Sequence, residues 1–75
     1  MSNVGVVTSF LRGEARSSGR LMTDGERLYS YHYMIALWQG GEVLLTAEWA
    51  GEPNTVKRHR KMLGELALAM GVQCA

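Results

Sequence analysis

The sequence is poor in cysteine and proline and has no long apolar run. Its one cysteine, Cys74, excludes an intramolecular disulfide and is typical of a reducing compartment. No apolar stretch approaches the roughly 20 residues that cross a bilayer, and no charged start followed by an apolar segment indicates a secretory leader. We therefore expect a cytoplasmic protein with no membrane partner.

Residue patterns that support catalysis or metal binding are also missing. The sole aspartate, Asp24, lies in a predicted turn, and no nucleophile elbow, phosphate-binding glycine loop or pair of catalytic acids is found. Two histidines, His32 and His59, and one cysteine match no metal-site spacing. A 75-residue chain also has little room for a substrate cavity of several hundred cubic ångströms. We predict no enzyme activity, no catalytic residue, no metal and no cofactor.

The charge of the chain is concentrated in one place. The formal net charge is only +1, yet half of the eight basic residues lie within five positions: Lys57, Arg58, Arg60 and Lys61. Cations in the first turns of a helix oppose the positive end of its dipole, so local helix stability does not account for them. One interpretation is a binding site for an anion or an acidic partner. The other is a solvated surface that nearby glutamates neutralise in part.

The clearest structural signal is a hairpin between Leu28 and Trp49. Two strand-like arms flank Gly40 and Gly41, which adopt the positive φ of a tight turn without steric penalty. In each arm apolar residues share one parity, so each arm presents one apolar face. These residues are Tyr29, Tyr31, Tyr33, Ile35 and Leu37 in the first arm, and Val43, Leu45, Ala47 and Trp49 in the second. We predict that the tyrosines belong to the core, although tyrosines on a sheet can also stack on nucleic-acid bases.

The flanking segments complete the predicted α+β fold. Residues 2–12 are β-branched and apolar and favour a strand, whereas residues 13–19 have the composition of a loop. Asp24 and Gly25 are typical of a two-residue turn, which would pair Leu21 and Met22 with Arg27 and Leu28. We expect one small domain over residues 1–75, with a strand and loop in 1–19, a β-meander in 20–49 and a helix in 54–71. The fold is an antiparallel sheet of three or four strands with this C-terminal helix packed on one face.

Helical periodicity over Thr55 to Met70 separates a polar side from an apolar side. Asn54 or Thr55 is the predicted N-cap, and Gly71 is the predicted left-handed end of the helix. His59 lies on the apolar side, where a hydrogen-bonded, partly buried histidine is a more common outcome than a ligand. The predicted buried side is Val56, His59, Met62, Leu63, Leu66, Ala67 and Met70, and the predicted exposed side is Lys57, Arg58, Lys61 and Glu65. Leu68 falls among the polar residues.

Two short motifs carry a resemblance to known proteins. The first is S-Y-x-x-x-I-A, which begins at Ser30, and the second is N-T-x-x-x-H-x-x-x-L, which begins at Asn54. With the glycine hairpin between them, they resemble short proteins encoded by phages and other mobile elements. The resemblance covers about half of the chain and implies a compact product that docks on a larger host assembly, with anti-CRISPR inhibitors as the most concrete group.

We therefore expect a non-enzymatic binding protein whose partner is a larger host protein or complex, acting in the host cytoplasm. Charged, aromatic and leucine side chains supply interface anchors. The candidate partner- or anion-binding residues are Lys57, Arg58, Arg60, Lys61, Trp38 and Leu68. One alternative is a nucleic-acid-binding module that uses the basic start of the helix. Another is a structural homodimer.

Overall fold

The computed structural model describes residues 3–74, which form a five-stranded antiparallel sheet and two helices. The strands follow one another in the sheet in chain order, so each pair of neighbours is a hairpin. The α+β class is confirmed, but the predicted three or four strands and single helix are too few. The elements are α1 (Asn3–Leu11), β1 (Ala15–Ser18), β2 (Leu21–Asp24), β3 (Arg27–Ser30), β4 (Tyr33–Gln39), β5 (Glu42–Leu45) and α2 (Asn54–Met70).

Both elements that the sequence did not predict lie near the N-terminus. The predicted strand in residues 2–12 is wrong, because Asn3–Leu11 is helical. Its buried side chains recur with helical spacing and form one face: Val6, Val7, Phe10 and Leu11. Tertiary packing of that face overrides the strand preference of the β-branched run. The predicted loop in residues 13–19 is also corrected, since Ala15–Ser18 pairs with β2 as an edge strand.

The glycine hairpin between β4 and β5 is confirmed. Gln39 pairs with Glu42 across the two glycines, and φ is 61° at Gly40 and 83° at Gly41. Positive φ at both central residues is what the type I′ turn requires, because its twist matches that of the strands.

The second arm of this hairpin is shorter than its parity predicted. Val43 is fully buried and Leu45 packs against the core, as expected. The strand ends at Leu45, however, and both Ala47 and Trp49 are exposed. The inward alternation therefore does not continue beyond β5.

Tyr29, Tyr31 and Tyr33, which we call the tyrosine stripe, do not together form the core face that their shared parity predicted. Tyr31 has a φ of 57°, lies in the two-residue turn between β3 and β4, and is 46% exposed. Tyr29 points away from the core, because its neighbours Leu28 and Ser30 on β3 are fully buried. Of the three tyrosines, only Tyr33 packs against the core.

A β-bulge explains why the parity changes along β4. Leu28 pairs with Ala36 and Tyr29 pairs with Met34, so Ile35 is an extra residue with no partner in β3. Ile35 and Ala36 are consecutive and both fully buried. From Ala36 onward, the even-numbered residues of β4 face the core.

The turn between β2 and β3 is stabilised by a side chain and lies further along than predicted. Asp24 Oδ1 accepts hydrogen bonds from the backbone N–H groups of Glu26 (2.9 Å) and Arg27 (2.8 Å). These bonds lower the pKa of Asp24. The observed pairs are Leu21 with Ser30 and Met22 with Tyr29, and not the predicted pairs with Arg27 and Leu28.

Both helices pack on the same face of the sheet. α1 contacts β1, β2, β3 and α2, while α2 contacts β4 and α1. The hydrophobic core lies in this single layer between sheet and helices, and its largest fully buried side chains include Phe10, Leu21, Leu28, Ile35 and Leu63. The opposite face of the sheet is covered by neither helix.

The limits and faces of α2 agree with the sequence at most positions. Pro53 occupies the N-cap with no side-chain capping hydrogen bond, so the predicted cap at Asn54 or Thr55 is wrong. Gly71 ends the helix in the left-handed conformation as predicted, with a φ of 74°. Val56, His59, Leu63 and Ala67 are buried, Met62 and Leu66 are partly buried, and Met70 is exposed, contrary to expectation.

Gly64 offers a direct test of the helix assignment. No atom lies within 4 Å of the position that a Cβ would take at Gly64, and its φ is negative. Gly64→Ala is expected to raise the free energy of unfolding by about 1 kcal/mol in urea denaturation, because alanine loses less backbone entropy in a helix. The control Gly71→Ala should lower it by about 1 kcal/mol, since alanine is strained at positive φ. A destabilised Gly64→Ala variant would contradict the packing described for α2.

Candidate functional site

The basic cluster of α2 contains residues that form ion pairs and residues that form none within residues 3–74. Arg60 forms a bidentate ion pair with Glu52, with Nη1 to Oε2 at 2.6 Å and Nη2 to Oε1 at 2.7 Å. The Glu52 side chain is fully buried, and that of Arg60 is only 13% exposed. Arg60 is therefore a structural residue, which corrects its assignment to a partner-binding surface.

The ion pair fixes the loop that leads into α2. Glu52 also accepts a hydrogen bond from the backbone N–H of Trp49 at 3.1 Å, so one carboxylate holds both the loop and the helix. The hydrogen bonds from Arg60 lower the pKa of Glu52 from its ordinary value of 4.5 to about 2, against the opposing effect of burial. The same interaction raises the pKa of Arg60. The carboxylate and guanidinium therefore stay charged across the neutral range.

Lys57, Arg58 and Lys61 remain on the solvent-exposed side of α2, as predicted. Lys57 Nζ lies 3.7 Å from a carboxylate oxygen of Glu48, an exposed pair of the kind that contributes little to stability. Within residues 3–74, Arg58 and Lys61 form no ion pair. The expected neutralisation by glutamates thus holds for two of the four cations.

Trp38 is a packing residue and not an exposed anchor. Its Nε1 donates a hydrogen bond of 2.8 Å to the carbonyl oxygen of Phe10. The two rings also pack with centroids 6.1 Å apart at an interplanar angle of 40°. Trp38 therefore joins β4 to the end of α1, which corrects its prediction as a partner-binding residue.

Leu68 is 83% exposed, as the sequence predicted. With 100° per residue, Lys57, Lys61 and Leu68 lie within about 40° of one another around the axis of α2. They form one exposed stripe along the helix.

His59 is buried and takes part in a polar contact that the sequence placed only approximately. Its Nδ1 lies 2.6 Å from Ser30 Oγ, and its Nε2 lies 3.2 Å from Asn3 Nδ2. With the Asn3 amide donating to Nε2, Nδ1 of the neutral ring carries the hydrogen and donates it to Ser30. Burial, with a smaller effect of the Arg20 charge, lowers the pKa of His59. The prediction of a hydrogen-bonded, buried histidine is confirmed.

Ser30 and His59 come from the two motifs that carry the resemblance, and the fold brings them together. Ser30 is fully buried, and His59 is 4% exposed. A serine nucleophile must reach a substrate, and this hydroxyl does not reach solvent. The contact therefore joins β3 to α2 and does not resemble an accessible catalytic pair.

A pocket of about 350 Å³ opens beside His59. We call it the basic pocket. It forms where the start of α1, the β1–β2 turn and the first turns of α2 meet. Its lining residues are Asn3, Arg20, Thr55, Arg58, His59 and Met62. Arg20 was not among the predicted site residues, because it lies 38 positions before Arg58 in the sequence and only the fold brings it near.

The sheet surface opposite the helices is apolar. We call it the outer face and define it by outward residues of β2 to β5. Cross-strand pairs connect Met22 to Tyr29, Tyr29 to Met34, and Leu37 to Leu44. Met22 is 45% exposed and the other four are half-buried. None of the five packs against the hydrophobic core.

A second pocket, of about 300 Å³, borders the outer face at Met34. We call it the Trp49 pocket, because the exposed ring of Trp49 forms one wall. Trp49 Nε1 donates a hydrogen bond of 2.9 Å to the carbonyl oxygen of Met34, which fixes the indole at the sheet. The other lining residues are Thr46, Ala47 and Glu48.

Other features of the described chain bear on possible chemistry. Within residues 3–74 no three His, Cys, Asp or Glu side chains cluster in a way that could hold a metal ion. The Cys74 thiol lies beside β5, and burial raises its pKa, which makes the thiolate less accessible. None of the helices in that range has the length and apolar character to span a membrane.

Comparison with known proteins gives no match to a protein-family model, to a curated protein or to a solved structure.

The Glu52–Arg60 pair predicts acid-sensitive stability. Because the folded pKa of Glu52 is depressed to about 2 from its ordinary value of 4.5, its contribution is fully present above that ordinary value. That contribution is lost as pH falls from about 5 towards about 2. Urea denaturation across this range should show a steep loss of stability in the wild type and a shallower one in Glu52→Gln. Glu48→Gln, an exposed control, should keep the wild-type slope, and an equal slope in all three proteins would contradict the assignment.

Proposed function

We propose that this chain is a small, non-enzymatic binding protein that docks on a larger protein through its outer face. The observation that supports this proposal best is the apolar row of side chains on that face, which neither helix covers. Side chains such as Leu37, Leu44 and Met34 gain free energy from burial at about 25 cal/mol per Å². Apolar patches of this kind on small soluble proteins are typical of interaction surfaces.

The dimensions of the face suit a specific complex. The two longer axes of the molecule measure 30 Å and 25 Å, so the largest side that the molecule can present to a partner is about 750 Å² in outline. A standard protein–protein interface buries roughly 800 Å² on each partner. A partner that covers the outer face and its edges can therefore form an interface of about this size.

Shape and charge favour a different protein, with a projecting apolar side chain, over a second copy of this chain. The Trp49 pocket lies at one end of the face and can receive a projecting apolar side chain, whereas a pair of stacked sheets would leave it unfilled. The edge of the face carries charges of both signs, with Arg27 beside Leu37 and Glu42 on the same side of β5 as Leu44. An apolar centre with a polar edge is the usual anatomy of an interface.

The resemblance to phage and mobile-element proteins supports a proposal about the source of the chain and the class of its partner. We propose that the chain acts in the host cytoplasm on a larger host complex and inhibits or modulates it. A CRISPR effector is the most concrete candidate, as for anti-CRISPR inhibitors. The structural contribution to this proposal is the surface, and the class of partner rests on the resemblance.

Charge substitution on the outer face tests the proposal. Tagged wild type, Leu44→Glu and Leu68→Glu should be used to capture proteins from host lysate, and the captured protein should then be purified and titrated. We expect one stoichiometric partner, retained by Leu68→Glu and bound at least about tenfold more weakly by Leu44→Glu, since a charge would be buried without a partner. Circular dichroism should show that each variant stays folded.

The other outcomes separate the competing surfaces. Loss of the partner in Leu68→Glu or Arg58→Glu/Lys61→Glu, but not in Leu44→Glu, would assign binding to α2 and refute the outer face. A wild-type dimer in sedimentation that Leu44→Glu makes monomeric would show that the occupant is a second copy. Either result would overturn the proposal as stated.

A further inference from the structure

We infer that the basic pocket binds the phosphate group of a small phosphate ester. The pocket lies on the helix side of the molecule, opposite the outer face. This inference therefore does not depend on the proposed docking function, and either can fail without the other.

The charge of the pocket is positive and has no internal counterion. Arg20 and Arg58 line it from different elements, and its lining includes no carboxylate. Within residues 3–74 neither guanidinium forms an ion pair. Two guanidiniums match the charge of a phosphate monoester dianion, and each can bind two phosphate oxygens at once.

Neutral donors complete the lining. Thr55 contributes a hydroxyl that has no hydrogen-bond partner within the described chain. Asn3 uses one N–H for His59 Nε2 and keeps a second on the same amide nitrogen. The two ring nitrogens of His59 contact Ser30 and Asn3, so His59 is a positioning residue that holds the Asn3 amide at the pocket.

The size of the pocket favours an ester over the free ion. A volume of about 350 Å³ exceeds what one phosphate fills, and Met62 supplies an apolar wall for the organic group. A recess also suits a terminal phosphate better than the continuous backbone of a nucleic acid, which is bound along an extended basic groove.

Titration monitored by amide resonances tests the site. The probes are inorganic phosphate, glycerol 3-phosphate and unphosphorylated glycerol, each at constant ionic strength. We expect saturable shifts around Arg20, Thr55 and Arg58 with a Kd of about 1 mM or lower for glycerol 3-phosphate. Phosphate should bind more weakly and glycerol not at all.

Matched charge variants distinguish a specific phosphate site from nonspecific electrostatic attraction to the basic residues of α2. Arg58→Gln and Arg20→Gln should each weaken binding by about tenfold, the loss of one charge-assisted interaction. Lys61→Gln removes the same charge from the same helix outside the pocket and should change the Kd by less than about twofold. All three positions are exposed, so folding should be unaffected.

Three results would overturn the inference. The first is the absence of localised shifts at about 20 mM of either phosphate probe, far above the expected Kd. The second is an equal loss of affinity in Lys61→Gln and Arg58→Gln. The third is tighter binding of an oligonucleotide that depends equally on every basic residue of α2, which would indicate a nucleic-acid surface instead.

Discussion

Both helices bury the same face of the sheet, and this packing determines the shape and the surface of the molecule. Each fully buried residue such as Phe10, Leu28 or Leu63 contributes about 1.5–3 kcal/mol relative to exposure. A chain of 75 residues has few such residues, because small domains bury a limited share of their surface. With both helices on one side, no helix or strand within residues 3–74 covers the other. The uncovered outer face and the stability of the fold are therefore consequences of the same arrangement.

Polar contacts determine where the helices sit on that face. Trp38 binds the carbonyl oxygen at the end of α1, His59 binds Ser30 of β3, and Arg60 binds Glu52 before α2. Each contact involves a side chain whose type also suggested a functional role. A buried polar group needs a hydrogen-bond partner, and a buried charge needs an opposite charge most of all, so these side chains stabilise the fold. The apolar outer face and the two arginines of the basic pocket, which form no ion pair within residues 3–74, are not used in this way.

The sequence predicted those elements that depend on interactions between residues close together in the chain. The glycine hairpin, the amphipathic α2 and its end at Gly71 were recognisable because turn chemistry and periodicity act over a few residues. The N-terminal helix was not recognisable, because its β-branched residues favour a strand and only tertiary packing makes the segment helical. The prediction that the tyrosines share a core face is wrong, because the turn at Tyr31 and the bulge at Ile35 change which side chains face the core. The pairing of Glu52 with Arg60 and the approach of Arg20 to Arg58 depend on the tertiary fold.

One face of the sheet is shielded by the helices and the other is open to solvent. Paramagnetic relaxation of methyl resonances by a soluble gadolinium chelate measures this directly on the isolated chain. We predict strong relaxation of the Met22 and Leu44 methyls and weak relaxation of those of Leu28 and Ile35. Equal protection of the Leu44 and Leu28 methyls in a monomeric sample would show that the outer face is covered.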